Sequence, residues 1–170
     1  MFRNILVTLD DSTHSEAVLP VVADLAAGGA AVVTLFAVGA PPSGVGESRV
    51  EPPAIVGRMI VQPQVTLHGE TRTQAIERRD DELREMLEEK AKPLRDRGIE
   101  VQVAVALGDD AAEAIIGYAR AHPVDLIAMA THGRTGLRSV IFGSVASKVL
   151  GSGVRPVLLV RPRELGHHTH

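Results

Sequence analysis

Two polar segments of this 170-residue chain carry side chains that can bind a ligand. The first, Thr8 to Ser12, places the carboxylate of Asp10 directly after an apolar run. A carboxylate there can accept hydrogen bonds from a ribose or an adenine amine, or can hold a metal ion. The competing interpretation is that Asp10 only caps the element that follows it.

The second segment, Ala130 to Ser144, also begins at the end of an apolar run and is rich in glycine. Glycine lets backbone amides come close to an anion, and a helix that starts near Ser144 adds partial positive charge at its N-terminus. His132 is a further candidate to orient a phosphate, and a plain loop histidine is the alternative. The segment indicates a phosphate site, although a simple glycine-rich connector has the same pattern.

The charge distribution favours an anionic ligand in this part of the chain. The whole chain has 18 Lys and Arg against 21 Asp and Glu, a net charge of -3, which argues against nucleic-acid binding through bulk electrostatics. From Thr131 to Arg163 there is no acid, so a phosphate there meets no like charge from its own segment. The bases of this stretch are Arg134, Arg138, Lys148, Arg155, Arg161 and Arg163.

Several other classes of site lack their motifs. The chain has no G-x-x-x-x-G-K-[ST], and no G-x-G-x-x-G follows the first apolar run, which argues against a P-loop NTPase and against a nicotinamide cofactor. Ser144, His132 and Asp10 are the residue types of a hydrolase triad, but no G-x-S-x-G elbow is present. Since cysteine is absent, thiol nucleophiles and Cys-based zinc sites are excluded. We therefore predict no catalytic residue and no resident metal site.

Short apolar runs alternate with amphipathic segments, which predicts an α/β fold. We expect a single open five-stranded parallel sheet with helices on both faces, and a ligand outside the carboxyl ends of the strands, where the strand order reverses. The predicted strands are Ile5 to Leu9, Ala31 to Val38, Val101 to Leu107, Asp125 to Ala130 and Val157 to Val160. The predicted helices cover residues 17–26, 73–98, 111–121 and 144–150.

Length and composition predict one domain over residues 1–163 that carries a Pro- and Gly-rich insertion at 39–71. Within the insertion, Met59 to Val61 is apolar enough to form a brief ordered segment. Residues 164–170, with His167, His168 and His170, are expected to form a disordered tail. No apolar run is long enough to span a bilayer and no signal-peptide pattern is present, so we expect a cytoplasmic location.

The chain resembles the universal stress protein family over essentially its whole length. Ile5 to Ser12 matches the strand-and-turn pattern I-L-V-x-x-D-x-S, and a Pro- and Gly-rich segment follows the second strand. The last part of the chain is similar to the G-x-x-G-x9-G-[ST] motif of the ATP-binding members. Gly133, Gly143 and Ser144 occupy three of its four positions, and Ala130 replaces the first glycine.

The resemblance implies a Rossmann-like sheet of order 3-2-1-4-5 and either ATP or AMP as the ligand. It implies that Asp10 contacts the adenosine, that Ala37 or Val38 lines the adenine pocket, and that Gly133, Gly143, Ser144 and the amide of Val145 hold the phosphates. Asp10 is also a candidate to contact Mg²⁺ when ATP is bound. It also implies a homodimer through the last strand, Val157, Leu158, Leu159 and Val160. The nucleotide-binding residues expected from the resemblance are Thr8, Leu9, Asp10, Ala37, Val38, Ala130, Thr131, His132, Gly133, Arg134, Gly136, Gly143, Ser144 and Val145.

The function implied is that of an ATP-binding regulatory protein of the stress response that acts as a homodimer. In this interpretation, bound nucleotide orders the loop from Gly133 to Gly143, and a protein partner reads that loop. Two alternatives stay open. One is a dimeric interaction module that does not bind nucleotide, as the replacement by Ala130 allows, and the other is a slow ATPase, for which the sequence shows no positioned general base.

Overall fold

Aliphatic strands form the centre of the protein in a computed structural model. The structure describes residues 2–29, 31–42, 54–56, 59–61, 71–131 and 143–162. The strands are β1 (Asn4–Leu9), β2 (Val32–Gly39), β3 (Ala54–Val56), β4 (Met59–Val61), β5 (Glu100–Leu107), β6 (Leu126–Ala130) and β7 (Val157–Val160).

Five of these strands make one parallel sheet in the order β5-β2-β1-β6-β7. Ile5 in β1 pairs with Val33 on one side and with Leu126 on the other. Counted along the chain, the five strands have the order 3-2-1-4-5, which confirms the predicted fold. The order reverses between β1 and β6. Strands β2 and β5 lie on one side of β1, whereas β6 and β7 lie on its other side.

Helices cover both faces of this sheet, as predicted. They are a 3-10 turn (Ser15–Ala17), α1 (Val18–Ala26), α2 (Arg72–Asp96), α3 (Ala111–Ala121) and α4 (Ser144–Ser152). Val22 of α1 and Leu87 of α2 are buried against one face, and Ile116 of α3 and Val149 of α4 are buried against the other. Each such side chain contributes about 1.5–3 kcal/mol by leaving water.

Local signals in the sequence explain where the helices begin. Thr71 and Gln74 form a capping box in which the Gln74 N–H donates to Thr71 Oγ1 at 3.2 Å and the Thr71 N–H donates to Gln74 Oε1 at 2.9 Å. Asp110 caps α3 by accepting a hydrogen bond from the Glu113 N–H at 3.0 Å. Pro20 lies in the first turn of α1, where its missing N–H costs no helical hydrogen bond.

The segment between β2 and α2 differs from the prediction in two respects. Gly39 belongs to β2 and pairs with Leu107, and a Cβ atom on Gly39 would lie 2.6 Å from Cδ1 of Leu83, so close packing favours glycine. Met59–Val61 is ordered as predicted, and its antiparallel partner Ala54–Val56 has no counterpart in the prediction. The rest of the insertion and the tail at 164–170 lie outside the described residues. Among the described helices, none combines the length and the apolar character that crossing a membrane requires.

The carboxylate of Asp125 joins the beginnings of β1 and β6. Its Oδ2 accepts hydrogen bonds from the backbone N–H groups of Arg3 and Asn4, each at 2.9 Å. These two bonds hold the pKa of the Asp125 carboxyl below its ordinary value of 3.8. Since the folded pKa is lower than the unfolded one, the ionised carboxylate stabilises the fold above pH ~4, and this contribution is lost as pH falls through the folded pKa.

Asp125→Asn is expected to lower Tm at neutral pH, because the amide is a weaker acceptor than the carboxylate for these two N–H groups. The difference in Tm from the wild type should shrink as pH falls below about 4. Thermal unfolding followed by circular dichroism between about pH 7 and about pH 2.5 measures it. Asp109→Asn, at an exposed residue with no described hydrogen bond, is the control. A Tm difference that does not vary with pH would contradict the role assigned to the charge.

Candidate functional site

A cavity of about 460 Å³ opens at the carboxyl edge of the sheet, between β1 and β6. Its walls come from the ends of β1, β2 and β6, from the 3-10 turn, and from the first turns of α3 and α4. This is the point at which the strand order reverses, where the connections after two neighbouring strands leave on opposite faces. The lining residues are Thr8, Leu9, Asp10, Ser15, Phe36, Val38, Ala111, Ile115, Met129, Ala130, Thr131, Gly143, Ser144, Val145 and Ala146.

The structure brings nine of the residues expected to bind nucleotide to this one cavity. Four others, His132, Gly133, Arg134 and Gly136, lie outside the described residues. The nine are Thr8, Leu9, Asp10, Val38, Ala130, Thr131, Gly143, Ser144 and Val145.

Ala37 does not line the cavity. Successive side chains of a strand point to opposite faces of the sheet. Phe36 and Val38 therefore reach the cavity, whereas Ala37 is buried in the core beneath α1 and α2. Of the two residues expected beside the adenine, the structure places Val38 at the cavity.

Six lining residues are absent from the sequence prediction. Strand alternation is a signal for Phe36, because it lies two positions before Val38. Ala111 and Ile115 are four residues apart on α3 and share a face, but only the sheet order brings that face to β1 and β6. The six are Ser15, Phe36, Ala111, Ile115, Met129 and Ala146.

Asp10 is held by the turn that follows β1. Its Oδ1 accepts hydrogen bonds from the Ser12 N–H at 3.0 Å and from the Ser12 hydroxyl at 2.5 Å. The hydroxyl of Ser15, a buried residue, accepts from the Asp10 N–H at 3.3 Å and donates to the Ser12 carbonyl at 2.8 Å. Asp10 Oδ2 has no partner within the described part of the chain, so it is available to a donor on a ligand.

Asp10 is ionised at neutral pH. Partial burial raises the pKa of its carboxyl, but the hydrogen bonds from Ser12 and Ser15 lower that pKa by more than burial raises it. The pKa therefore lies below the ordinary value of 3.8. Asp10 is also the one charged side chain among the described lining residues. It attracts hydroxyl and amine donors and repels phosphate, so an anionic group must lie elsewhere in the cavity.

The first turn of α4 supplies neutral hydrogen-bond donors. No side chain among the described residues caps this helix, and its first internal bond runs from the Ser147 N–H to the Gly143 carbonyl at 2.9 Å. The N–H groups of Ser144, Val145 and Ala146 have no partner within the helix, and the helix dipole adds partial positive charge there. This turn is therefore suited to an anion.

Taken together, the walls fit a molecule with an apolar ring, hydroxyl or amine donors and an anionic group. Phe36, Val38, Ile115 and Met129 form apolar surface, Asp10 is the acceptor, and the start of α4 provides the donors. The described residues contain no group of three or more His, Asp or Glu side chains that could hold a metal ion.

A model of the universal stress protein family matches residues 1–161. The chain belongs to the universal stress protein family. Universal stress protein MJ0577 of Methanocaldococcus jannaschii is 33% identical to it over 95 residues, 51% of this chain and 58% of that protein. Universal stress protein YxiE of Bacillus subtilis is 29% identical over 163 residues, 95% of this chain and 100% of that protein. The matches to two Methanocaldococcus jannaschii relatives span 58% and 47% of their lengths, about half.

Solved structures of the family share the fold of this member. The structure of MJ0577 has a TM-score of 0.69 at 25% identity and covers 96% of this chain and 99% of that one. A universal stress protein in complex with cAMP has a TM-score of 0.62 at 15% identity, with 95% and 98% covered. A family protein from Arabidopsis thaliana with AMP bound has a TM-score of 0.57 at 12% identity, and the match covers 95% of this chain and 93% of that one. The universal stress protein from Archaeoglobus fulgidus in complex with dAMP has a TM-score of 0.54 at 20% identity, and the match covers 92% of this chain and 96% of that one.

Ser15→Ala is expected to lower the free energy of unfolding of this universal stress protein family member by about 1–3 kcal/mol, because the Asp10 N–H loses its acceptor. The Ser12 carbonyl also loses the Ser15 hydroxyl as a donor but keeps the Ser15 N–H at 3.2 Å. Urea unfolding followed by circular dichroism measures the change. Thr13→Ala, at an exposed residue of the same turn, is the control and should stay within about 0.5 kcal/mol of the wild type. Equal changes in the two variants would contradict the role of the Ser15 hydroxyl.

Proposed function

We propose that this member of the universal stress protein family binds an adenine nucleotide, ATP or AMP, and acts as a homodimeric regulator in the stress response. One observation carries the proposal: an ionised carboxylate, an apolar wall and the uncapped start of a helix meet in one cavity at the strand-order reversal. Ligands of open parallel sheets bind at such a reversal. The cAMP, AMP and dAMP held by other members of the family support the class of ligand.

The apolar part of the cavity is the proposed place of the adenine. Phe36 is buried in the second half of β2, and Val38, Ile115 and Met129 surround the same space. A volume of about 460 Å³ lies within the ordinary range of small-molecule pockets, about 300–1,000 Å³. The free Oδ2 of Asp10 is the proposed acceptor for a ribose hydroxyl or the adenine amine.

The start of α4 is the proposed phosphate site. Ser144, Val145 and Ala146 offer backbone N–H groups, and Ser144 adds a hydroxyl with no partner among the described residues. With ATP, Asp10 is the carboxylate that would meet a Mg²⁺ ion held mainly by phosphate oxygens, as Mg²⁺ usually is. Ala130 lines the cavity where the family motif has glycine, and its methyl group is a small intrusion that we propose the site accommodates.

Asp10→Asn is expected to weaken AMP binding about tenfold or more, because one carboxylate oxygen becomes an amide that donates instead of accepting. The other oxygen can still accept from Ser12, so the turn is preserved. Isothermal titration calorimetry with AMP and with ATP measures the affinity, and mass spectrometry of heat-denatured protein identifies any nucleotide already bound. Asp11→Asn, at an exposed neighbour outside the cavity, is the matched control and should bind as the wild type does.

Two outcomes of this titration contradict different parts of the proposal. Equal AMP affinity in Asp10→Asn and the wild type would remove Asp10 from the site but leave nucleotide binding intact. No bound nucleotide and no heat up to about millimolar AMP or ATP, a free energy of only about -4 kcal/mol, would overturn nucleotide binding. The dimeric interaction module would then be the remaining function.

The proposed homodimer forms through β7. This strand is at the edge of the sheet, and its four residues Val157–Val160 are all apolar and partly exposed. The helices that contact it carry further exposed apolar side chains, Leu25 on α1 and Leu150 on α4. An exposed apolar edge strand pairs readily with another strand, and a second copy of the chain would cover it.

Leu158→Lys is expected to convert the dimer to a monomer, because it places a charge in the proposed interface. Sedimentation velocity measures the mass, and circular dichroism confirms that the variant is folded. Gln102→Lys, at an exposed position on the opposite edge strand β5, is the control and should stay dimeric. Pairing through β7 would be contradicted if the wild-type chain sediments as a monomer, or if the Leu158→Lys variant sediments as a dimer.

A further inference from the structure

Lys148 of α4 bridges two carboxylates at the start of α3. Its Nζ lies 2.7 Å from Asp110 Oδ2 and 2.9 Å from Glu113 Oε1. Asp110 uses its other oxygen, Oδ1, to accept from the Glu113 N–H and cap the helix. The three side chains form one cluster that joins two helices across 38 positions of sequence.

This cluster lies beside the cavity, although none of its members lines it. Ala111, directly after Asp110, lines the cavity from α3, and Ser144 lines it from α4. Lys148 is four residues after Ser144, and helical residues four apart share a face. The bridge therefore connects the start of α3 to the second turn of α4, and the N-termini of both helices face the same space.

The position creates an electrostatic conflict that Lys148 relieves. Asp110 and Glu113 place two negative charges near the cavity in which the phosphate is proposed to bind. Negative charges within about one Debye length of an anion, roughly 10 Å at 0.1 M salt, oppose its binding. Lys148 offsets one of them and also ties α4, the source of the donors, to α3.

We propose that Lys148 is a positioning and charge-compensating residue of the nucleotide cavity, an inference that rests on the nucleotide binding proposed above. It acts through Asp110 and Glu113 and does not itself contact the ligand. The residue matters for the phosphate and not for the nucleoside, because only the phosphate is repelled by the uncompensated carboxylates.

The protonation of the cluster agrees with this role. Hydrogen bonding to Asp110 and Glu113 raises the pKa of Lys148, and the Lys148 ammonium holds the pKa of Asp110 below its ordinary value of 3.8. Lys148 and Asp110 are therefore charged at neutral pH, where the binding measurements would be made.

The test compares adenosine with AMP in the 170-residue chain. Lys148→Met removes the charge and keeps an unbranched apolar side chain of similar reach. We expect it to weaken AMP binding about three- to tenfold, to leave adenosine affinity within about twofold of the wild type, and to lose part of its effect at high salt. Lys92→Met, at an exposed lysine of α2, is the matched control and should change neither affinity.

A rescue variant separates charge from structure. Asp110→Asn, Glu113→Gln and Lys148→Met together remove all three charges, and the side-chain amide introduced by Asp110→Asn keeps an oxygen that can cap α3. We expect this triple variant to bind AMP at least as tightly as the wild type does. Thermal unfolding of each variant confirms that the measured chains are folded.

Four results would overturn the inference. Equal weakening of adenosine and AMP by Lys148→Met would show a purely structural role, and so would a triple variant that fails to restore AMP binding. Unchanged AMP affinity in Lys148→Met would show that the bridge is irrelevant to the site. A wild-type chain that binds neither adenosine nor AMP would overturn the proposed function itself and this inference with it, a result distinct from the other three.

Discussion

The parallel pairing of β1 with both β2 and β6 is the constraint on which the rest of the molecule depends. Because the chain extends the sheet first on one side of β1 and then on the other, the connection after β1 leads to α1 on one face and the connection after β6 leads to α4 on the opposite face. A crevice opens where they diverge. Leu6 and Val7, both fully buried on opposite faces, hold the register, since a slip of one residue would exchange the faces to which they point.

The crevice has a negative carboxylate, that of Asp10, on one wall and the partial positive charge of the N-terminus of α4 on another. Asp10 stays ionised because the turn after β1 donates hydrogen bonds to it from Ser12. The first turn of α4 presents uncapped N–H groups, and the Lys148 bridge keeps the acids of α3 partly neutralised. A molecule with hydrogen-bond donors at one end and a phosphate at the other would satisfy both walls, and this is the physical basis of the nucleotide binding proposed above.

Most of the predicted site follows from local pattern. Thr8 to Asp10 and Gly143 to Val145 each lie where a strand ends or a helix begins, and both features are visible in a short stretch of sequence. Ala111 and Ile115 were not predicted, because their place in the cavity depends on which strands and helices become neighbours. The same reason explains why Val38 lines the cavity and Ala37 does not. Strand alternation predicts that the two side chains point to opposite faces of the sheet, and only the packing of the helices decides which face holds the cavity.

The sequence by itself determined the kinds of most elements and, within a few residues, where they begin and end. Apolar periodicity set the strands and helices, and caps such as Thr71 with Gln74, and Asp110, act within a few residues of chain. The tertiary structure decided what those elements do together: the pairing of β3 with β4, the contact of α3 with the cavity, and the bridge from Lys148 to Asp110 and Glu113. The physical reason is that hydrogen bonds and periodicity within an element depend on neighbouring residues, whereas a cavity and an ion pair between helices depend on groups that only the folded sheet brings together.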